Sequence, residues 1–235
     1  MQAYGASQQR RVTIETVAPR TYGQFCGLAR ALELVGERWA LLIVRDLLVG
    51  PRRFTDLRQG LPRIPTNVLS ERLKELEQAG VVRRRVLPRP AASVVYELTA
   101  YGQKLDDAVM RLGLWGAQSL GEPRDGEILT PDSMVMALRS TFRPAAADGL
   151  NVAYELRLGP IVLNAHIRDG TLMVGEGAAS APDLVLESGP AIKDIMTGDL
   201  EPSAALARGS IRIVDGDPAL LDQFARLFQI PARPA

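Results

Sequence analysis

The sequence predicts an α+β fold in two parts, a helical first half closed by a β-hairpin and a strand-rich second half. Three observations predict it. The 235 residues exceed one typical domain and suffice for two modest cores. Apolar residues recur at three- and four-residue spacing before residue 80, and at two-residue spacing through much of the chain after residue 150. The net charge of +1 conceals a divided chain: residues 1–121 carry 18 Lys and Arg against 11 Asp and Glu, and residues 122–235 carry 10 against 16. A basic half points to a polyanion, ordinarily nucleic acid, whereas the acidic half is repelled from phosphate and should face elsewhere.

Residues 1–20 are polar and aperiodic and read as a loose arm, weakly basic through Arg10, Arg11 and Arg20. From Phe25, Leu28, Leu32 and Val35 line one helical face until Gly36; a second, mostly buried helix covers 39–49 before Gly50-Pro51. Two helices follow at 54–58 and 66–79, separated by the breaker Gly60-Leu61-Pro62-Arg63 and ended by Gly80. Strands at 81–87 and 94–98 then flank an irregular tip, Pro88 to Ala92. Thr99 can cap one further helix, whose apolar stripe is Leu105, Ala108, Val109, Leu112 and Trp115. Residues 122–126 read as a linker between a first unit at 21–121 and a second at 127–235.

The second unit opens with a helix near 132–141. A half-buried strand follows, with Leu150, Val152, Tyr154, Leu156 and Leu158 on one face and Asn151, Glu155 and Arg157 on the other. Strands at 161–168 and 171–174 are joined by the two-residue turn Asp169-Gly170, and a fourth strand is expected at 183–187. Short helices at 192–196 and 203–207, a strand at 211–214 and a final helix opened by Asp217-Pro218 complete the chain.

The single Cys26 and the single His166 exclude an intrachain disulfide and a Cys/His zinc site within one chain. No catalytic constellation and no phosphate-binding glycine motif is found, His166 falls on a polar strand face, and the chain is expected to be neither an enzyme nor a holder of any cofactor. The first 15 residues lack a signal-peptide core, and Arg45 and Asp46 interrupt the longest apolar stretch. A cytoplasmic protein without a membrane segment is expected.

Helices at 54–58 and 66–79 followed by a hairpin have the order of a winged helix-turn-helix. On the 66–79 helix, Leu69, Leu73 and Leu76 form the inner stripe and leave Asn67, Ser70, Glu71, Lys74 and Gln78 outside. The N-terminal end of such a helix meets base edges, so Thr66, Asn67 and Ser70 are candidates for direct readout, Asn67 above all, and Lys74 for phosphate. Arg72 is counted with them. The hairpin holds Arg83, Arg84, Arg85 and Arg89 with no acid among them; Arg83 and Arg85 share a strand face and can reach one stretch of backbone or a minor groove, while Arg84 points the other way. Arg52 and Arg53 add phosphate contacts. About four to six such contacts would make log affinity fall with log salt at a slope of roughly −4 to −5.

Residues 22–121 resemble the HxlR family of winged-helix regulators through Cys26, the segment Leu34-Val35-Gly36-Glu37-Arg38-Trp39, the stretch Gly50-Pro51-Arg52-Arg53-Phe54, the run 69–76 and Tyr96-Glu97-Leu98-Thr99 followed by Gly102. The resemblance implies a homodimer whose interface is formed by the helices near 28–35 and 105–115, with one recognition helix per subunit in successive major grooves of an inverted-repeat operator in double-stranded DNA. Pro65 departs from the small polar cap usual there, and Thr66 is expected to take over capping. Some members of this family sense oxidants or electrophiles through a cysteine at the position of Cys26. Beside Phe25 and Leu28, that cysteine reads as a packing residue; with Arg30 four residues along the helix to lower its pKa, it reads as a thiol switch.

Residues 127–229 resemble the sterol carrier protein 2-like domain through Met196-Thr197-Gly198-Asp199-Leu200-Glu201-Pro202, the stretch 204–208, Gly209, Ile211-Arg212-Ile213 and Gly216-Asp217. This implies a mainly antiparallel five-stranded sheet with helices enclosing an apolar tunnel for hydrophobic molecules. Its expected lining is Met134, Leu138, Val152, Tyr154, Leu163, Ala165, Ile195, Met196, Leu206, Phe224 and Phe228, each equally at home in an ordinary core. The combined expectation is a dimeric regulator whose second unit binds a small hydrophobic effector that modulates operator affinity. The alternative is a constitutive or Cys26-based repressor in which the second unit serves assembly.

Overall fold

Each half of the chain builds its own apolar core, and the two are joined along one helix. The structure, a computed structural model, describes residues 21–88 and 92–233. The first half runs through α1 (Gly27–Val35), α2 (Ala40–Val49), α3 (Phe54–Gly60) and α4 (Thr66–Gln78), then β1 (Val82–Val86) and β2 (Val94–Leu98), then α5 (Ala100–Gln103) and α6 (Asp106–Ala117). The expected arm at 1–20 and the wing-tip Arg89 lie outside the described residues. Leu69, Leu73 and Leu76 are buried as their spacing predicts, packed with Ile43, Val44, Leu47, Leu57 and Leu98. β1 and β2 pair antiparallel from Val82↔Leu98 to Val86↔Val94.

The single helix expected after Thr99 is two. The Gly102 N–H donates to Thr99 Oγ1 at 3.0 Å, closing the short α5, and the chain turns before α6 starts. Gly102 is required there by contact: a Cβ would sit 2.1 Å from the Val81 carbonyl oxygen.

The second half comprises α7 (Pro131–Thr141), a 3₁₀ turn (Pro144–Ala146), β3 (Asn151–Leu158), β4 (Ile161–Arg168), β5 (Thr171–Glu176), β6 (Leu184–Ser188), α8 (Ala191–Thr197), α9 (Pro202–Ala207), β7 (Ile211–Gly216) and α10 (Ala219–Leu227). Thr130 caps α7 by accepting the Ser133 N–H, and Asp217 opens α10 by accepting the Ala219 N–H at 2.9 Å. The sheet order is β5-β4-β3-β6-β7. It is a mixed sheet, not the mainly antiparallel one expected, because β6 pairs parallel to β3, from Tyr154↔Leu184 to Leu158↔Ser188. Two-residue alternation is the same in both senses of pairing; the sense is set by the connection, here residues 177–183.

That connection also covers the second face of β3. The Ala179 N–H donates to Glu155 Oε2 at 3.0 Å, Asp183 Oδ2 accepts the Ala153 N–H at 2.8 Å, and Asn164 Nδ2 donates to the Gly177 carbonyl at 3.1 Å. Ala153 and Glu155 are therefore buried, and β3 is covered on both faces where a half-buried strand was expected.

The residues expected to line a tunnel fill a core instead. Met134, Leu138, Val152, Leu163, Ala165, Ile195 and Met196 form one buried cluster around Tyr154, Phe224 and Phe228, with Leu206 packed against it. The Phe224 ring lies 4.6 Å from Phe228 and edge-on to Tyr154 at 5.5 Å, and Tyr154 donates its hydroxyl to Gln223 Oε1 at 2.8 Å. The physical reason is volume: three aromatic rings occupy the space between sheet and helices. A cleft of about 520 Å³ lies beside this core between α8, α9, α10 and the C-terminal segment, and of the expected lining only Ile195 and Met196 border it.

α7 joins the halves by packing on α2 and α6. Next to this seam Asp46 of α2 is fully buried; Arg45 pairs with its Oδ1 at 2.7 Å and its Oδ2 has no partner among the described residues. Burial pushes this carboxyl up to about 6, against the pull of Arg45. A carboxyl whose folded pKa exceeds its unfolded value of 3.8 withdraws stability as pH rises between the two values. Asp46→Asn is therefore expected to gain on the wild type by about 2–3 kcal/mol between pH 4 and pH 7. Denaturant unfolding of both proteins across that range checks it; a difference independent of pH would refute the assignment.

Candidate nucleic-acid interface

α4 presents Asn67, Ser70 and Lys74 as exposed side chains away from its leucine stripe, and Thr66, in line with the stripe at the first turn, is exposed as well. Pro65 stands at the N-cap and no side chain caps the helix, so Thr66 does not take over capping as expected; it is the first helical residue. Ser70 donates its hydroxyl to the Thr66 carbonyl at 3.0 Å, which orients its oxygen along the helix. Arg72, counted with the DNA-binding residues on sequence grounds, is instead 8% exposed, and its guanidinium pairs with Glu37, Glu71 and Glu75. Its place on the edge of the leucine stripe buries it, and three carboxylates hold it there.

Arg53 is exposed at the start of α3, where its N–H donates to Asp56 Oδ2. In the wing, Arg83 and Arg85 do share a face, and Glu97 on the paired strand gathers both: Arg83 Nε donates to Oε1 at 2.8 Å and Arg85 Nε to Oε2 at 2.7 Å. The two arginines, Arg85 first, hold the Glu97 carboxyl below its usual range. The absence of an acid within the arginine run did not reveal this one across the hairpin. Such exposed pairs are weak and exchange readily for phosphate. Arg84, on the opposite face, stacks over the Tyr96 ring at 5.8 Å.

Arg52 differs from its neighbours. Its backbone bridges Tyr96 of the wing in both directions, while its guanidinium reaches Asp132 of α7 through Nε at 2.9 Å and Nη2 at 2.5 Å. Sequence reasoning also passed over Arg63, in the turn before α4, whose Nη2 donates to the Asp125 carbonyl at 3.0 Å. Its place between the two helices of the motif was the available signal.

Comparison with known proteins places this geometry. Residues 34–124 match the HxlR-like helix-turn-helix family. The HTH-type transcriptional regulator YodB of Bacillus subtilis is 41% identical over 95 residues, which are 40% of this chain and 84% of YodB. The chain belongs to the HxlR family. The HTH-type transcriptional regulator YvaP of Bacillus subtilis is 39% identical over 89 residues, 38% of this chain and 82% of YvaP. The regulator Rv3095 of Mycobacterium tuberculosis is 38% identical over 112 residues, 48% of this chain and 69% of its own. Among solved structures, the reduced form of YodB is 39% identical over 43% of this chain and all of that one, with a TM-score of 0.37. In the HxlR frame the chain is a DNA-binding transcriptional regulator of the helix-turn-helix type.

Two further features of the HxlR half stand out. Leu28 and Leu32 of α1 and Leu112 and Trp115 of α6 are exposed, Leu28 and Trp115 each at 69%. Cys26, whose sequence neighbours suggested packing, is exposed at the start of α1 beside a fully exposed Phe25. Its thiol pKa is lowered by the backbone N–H of Ala29 and then that of Leu28, at the helix N-terminus. Arg30, suggested for that role, is paired with Glu33 at 2.9 Å.

Proposed function

We propose that this HxlR-family regulator binds an inverted-repeat operator as a homodimer, with residues 21–121 as the DNA-binding and dimerisation unit. The observation that carries this reading is α4: a buried leucine stripe leaves Asn67, Ser70 and Lys74 exposed, and Arg53 before α3 and Arg83, Arg84 and Arg85 on β1 are exposed as well. Asn67 reads bases, Lys74 and the arginines hold phosphates. The exposed apolar side chains of α1 and α6 support pairing with a second copy, since such a patch is costly in a monomer. The reading is tested by sedimentation, which should give twice the 25.5 kDa chain mass, and by titrating the protein with a duplex selected from a random-sequence pool over a range of salt. A log–log salt slope of about −4 or steeper is expected, and a flat response overturns it.

In this reading residues 127–235, joined by a linker at 122–126, form a sterol carrier protein 2-like unit that takes a small hydrophobic effector. Helices packed on one side of the five-stranded sheet, with Met134 and Met196 as adaptable members of its apolar core, support it. A ten- to hundredfold effect on operator affinity requires roughly 1.4 to 2.8 kcal/mol of differential binding between the two states. Native mass spectrometry of freshly purified protein should reveal a dissociable apolar adduct whose removal changes DNA binding. A chain that carries none and binds no lipophilic probe confines the second unit to assembly. No helix among the described residues is long and apolar enough to cross a membrane, and a cytoplasmic site of action accords with a DNA partner.

The exposure of Cys26 and its lowered pKa favour a second reading, a thiol switch. With one cysteine per chain, oxidation yields an intersubunit disulfide or a mixed disulfide with a small thiol. Diamide is expected to release wild-type protein from DNA and to leave Cys26→Ser bound; equal release of both ends this reading.

A further inference from the structure

We propose that Asp132 is an electrostatic latch that withholds Arg52 from DNA, so that α7 sets how many phosphates the winged helix engages; the inference rests on the DNA-binding reading above. Arg52 is placed for nucleic acid by its backbone, which bridges β2 of the wing through Tyr96, with N–H···O distances of 3.0 and 2.7 Å. Its side chain is engaged by α7. Asp132, in the first turn of α7, accepts two of its donors, Nε and Nη2, one on each carboxylate oxygen. The side chains are only 24% and 13% exposed, so water competes poorly for either partner. This hydrogen bonding raises the Arg52 pKa, and its charge is permanent, which leaves exchange of partner as the means of release.

The charged groups around the pair are those of the seam. Arg45 and the buried Asp46 lie on α2, Asp56 follows on α3, and Arg139 of α7 donates to Asp106 of α6 at 2.6 Å and to the Leu48 carbonyl at 3.4 Å. α7 also enters the second core, through Met134, Val135 and Leu138. One helix therefore carries both part of the packed second core and the carboxylate that occupies Arg52. A small rotation or shift of α7 breaks a two-point pair, because both hydrogen bonds depend on the same carboxylate plane.

The test needs no effector. Wild type, Asp132→Asn, Arg52→Gln and the double variant are titrated with the same selected duplex across a salt series. Asp132→Asn is expected to bind on the order of tenfold tighter, with a salt slope steeper by about 0.9 for each Arg52 released. In the Arg52→Gln background the same substitution should produce no gain. A gain that persists there is general electrostatics from removing an acid, and overturns the latch, as does an Asp132→Asn that binds no tighter than wild type. Binding by neither wild type nor Asp132→Asn overturns the DNA-binding reading and the latch with it; binding by Asp132→Asn alone supports both. Asp132→Ser serves as a second release variant, and thermal unfolding confirms that each variant is folded.

Discussion

Replacing Arg83 and Arg85 together by glutamine is expected to lower operator affinity about ten- to a hundredfold near physiological salt and to flatten the salt slope by about 0.9 for each phosphate no longer neutralised. The two side chains are exposed and share one face of the wing, held among the described residues by Glu97, so the folded chain loses less than about 1 kcal/mol with them. The Glu97 carboxyl, depressed by its arginine partners, contributes its share of stability above its unfolded pKa and loses it as pH falls through the folded one. At neutral pH that contribution is present in full but small, because the pair is exposed, and the larger effect is on binding. Arg72→Gln is the contrasting variant. Its guanidinium is buried among Glu37, Glu71 and Glu75, so its removal should leave three like charges around the site, destabilise the chain and leave the salt slope unchanged. Fluorescence anisotropy over a salt series, with melting curves on the same samples, separates the two. Equal slopes for wild type and the wing variant would remove the wing from the interface.

Phe224→Ala is expected to cost about 3–5 kcal/mol, the range for a fully buried aromatic removed from a packed core. Phe224 touches Tyr154 and Phe228 at once, and the three rings occupy the interior between β3 and α10. For a chain of this size the midpoint of thermal unfolding should fall by about 2–4 °C for each kcal/mol. The vacated space is apolar, so a lipophilic probe should raise the melting temperature of the variant. If the probe raises that of the wild type equally, the core opens to ligands as it stands. If it acts on the variant alone, the aromatic cluster is structural and effector binding moves to the adjoining cleft beside Ile195 and Met196.

The helix-turn-helix was legible because each of its features is local. Leu69, Leu73 and Leu76 recur at helical spacing, and Gly80 and the proline-containing breaker mark the ends, so the outward face of α4 follows by geometry. The wing was legible for the same reason. Its charge partner was not, since Glu97 stands 14 residues from Arg83 and only the hairpin register opposes them. The split of α5 from α6 escaped because Thr99 and Gly102 close a turn whose apolar periodicity continues unbroken beyond it.

By itself the sequence determined most of the elements and their order, the inward leucine face of α4, the division into a basic and an acidic half, and membership of the HxlR family. These depend on spacing along the chain. The tertiary structure alone decided the parallel placement of β6, the filling of the second core by aromatic rings, the exposure of Cys26 and the partners of Arg52 and Arg72. Periodicity says which face turns inward but not what meets it there, and Arg52 meets a carboxylate 80 residues away. A charge that spacing assigns to solvent is committed by whichever opposite charge the fold brings within hydrogen-bond reach, and that is settled only when distant segments pack.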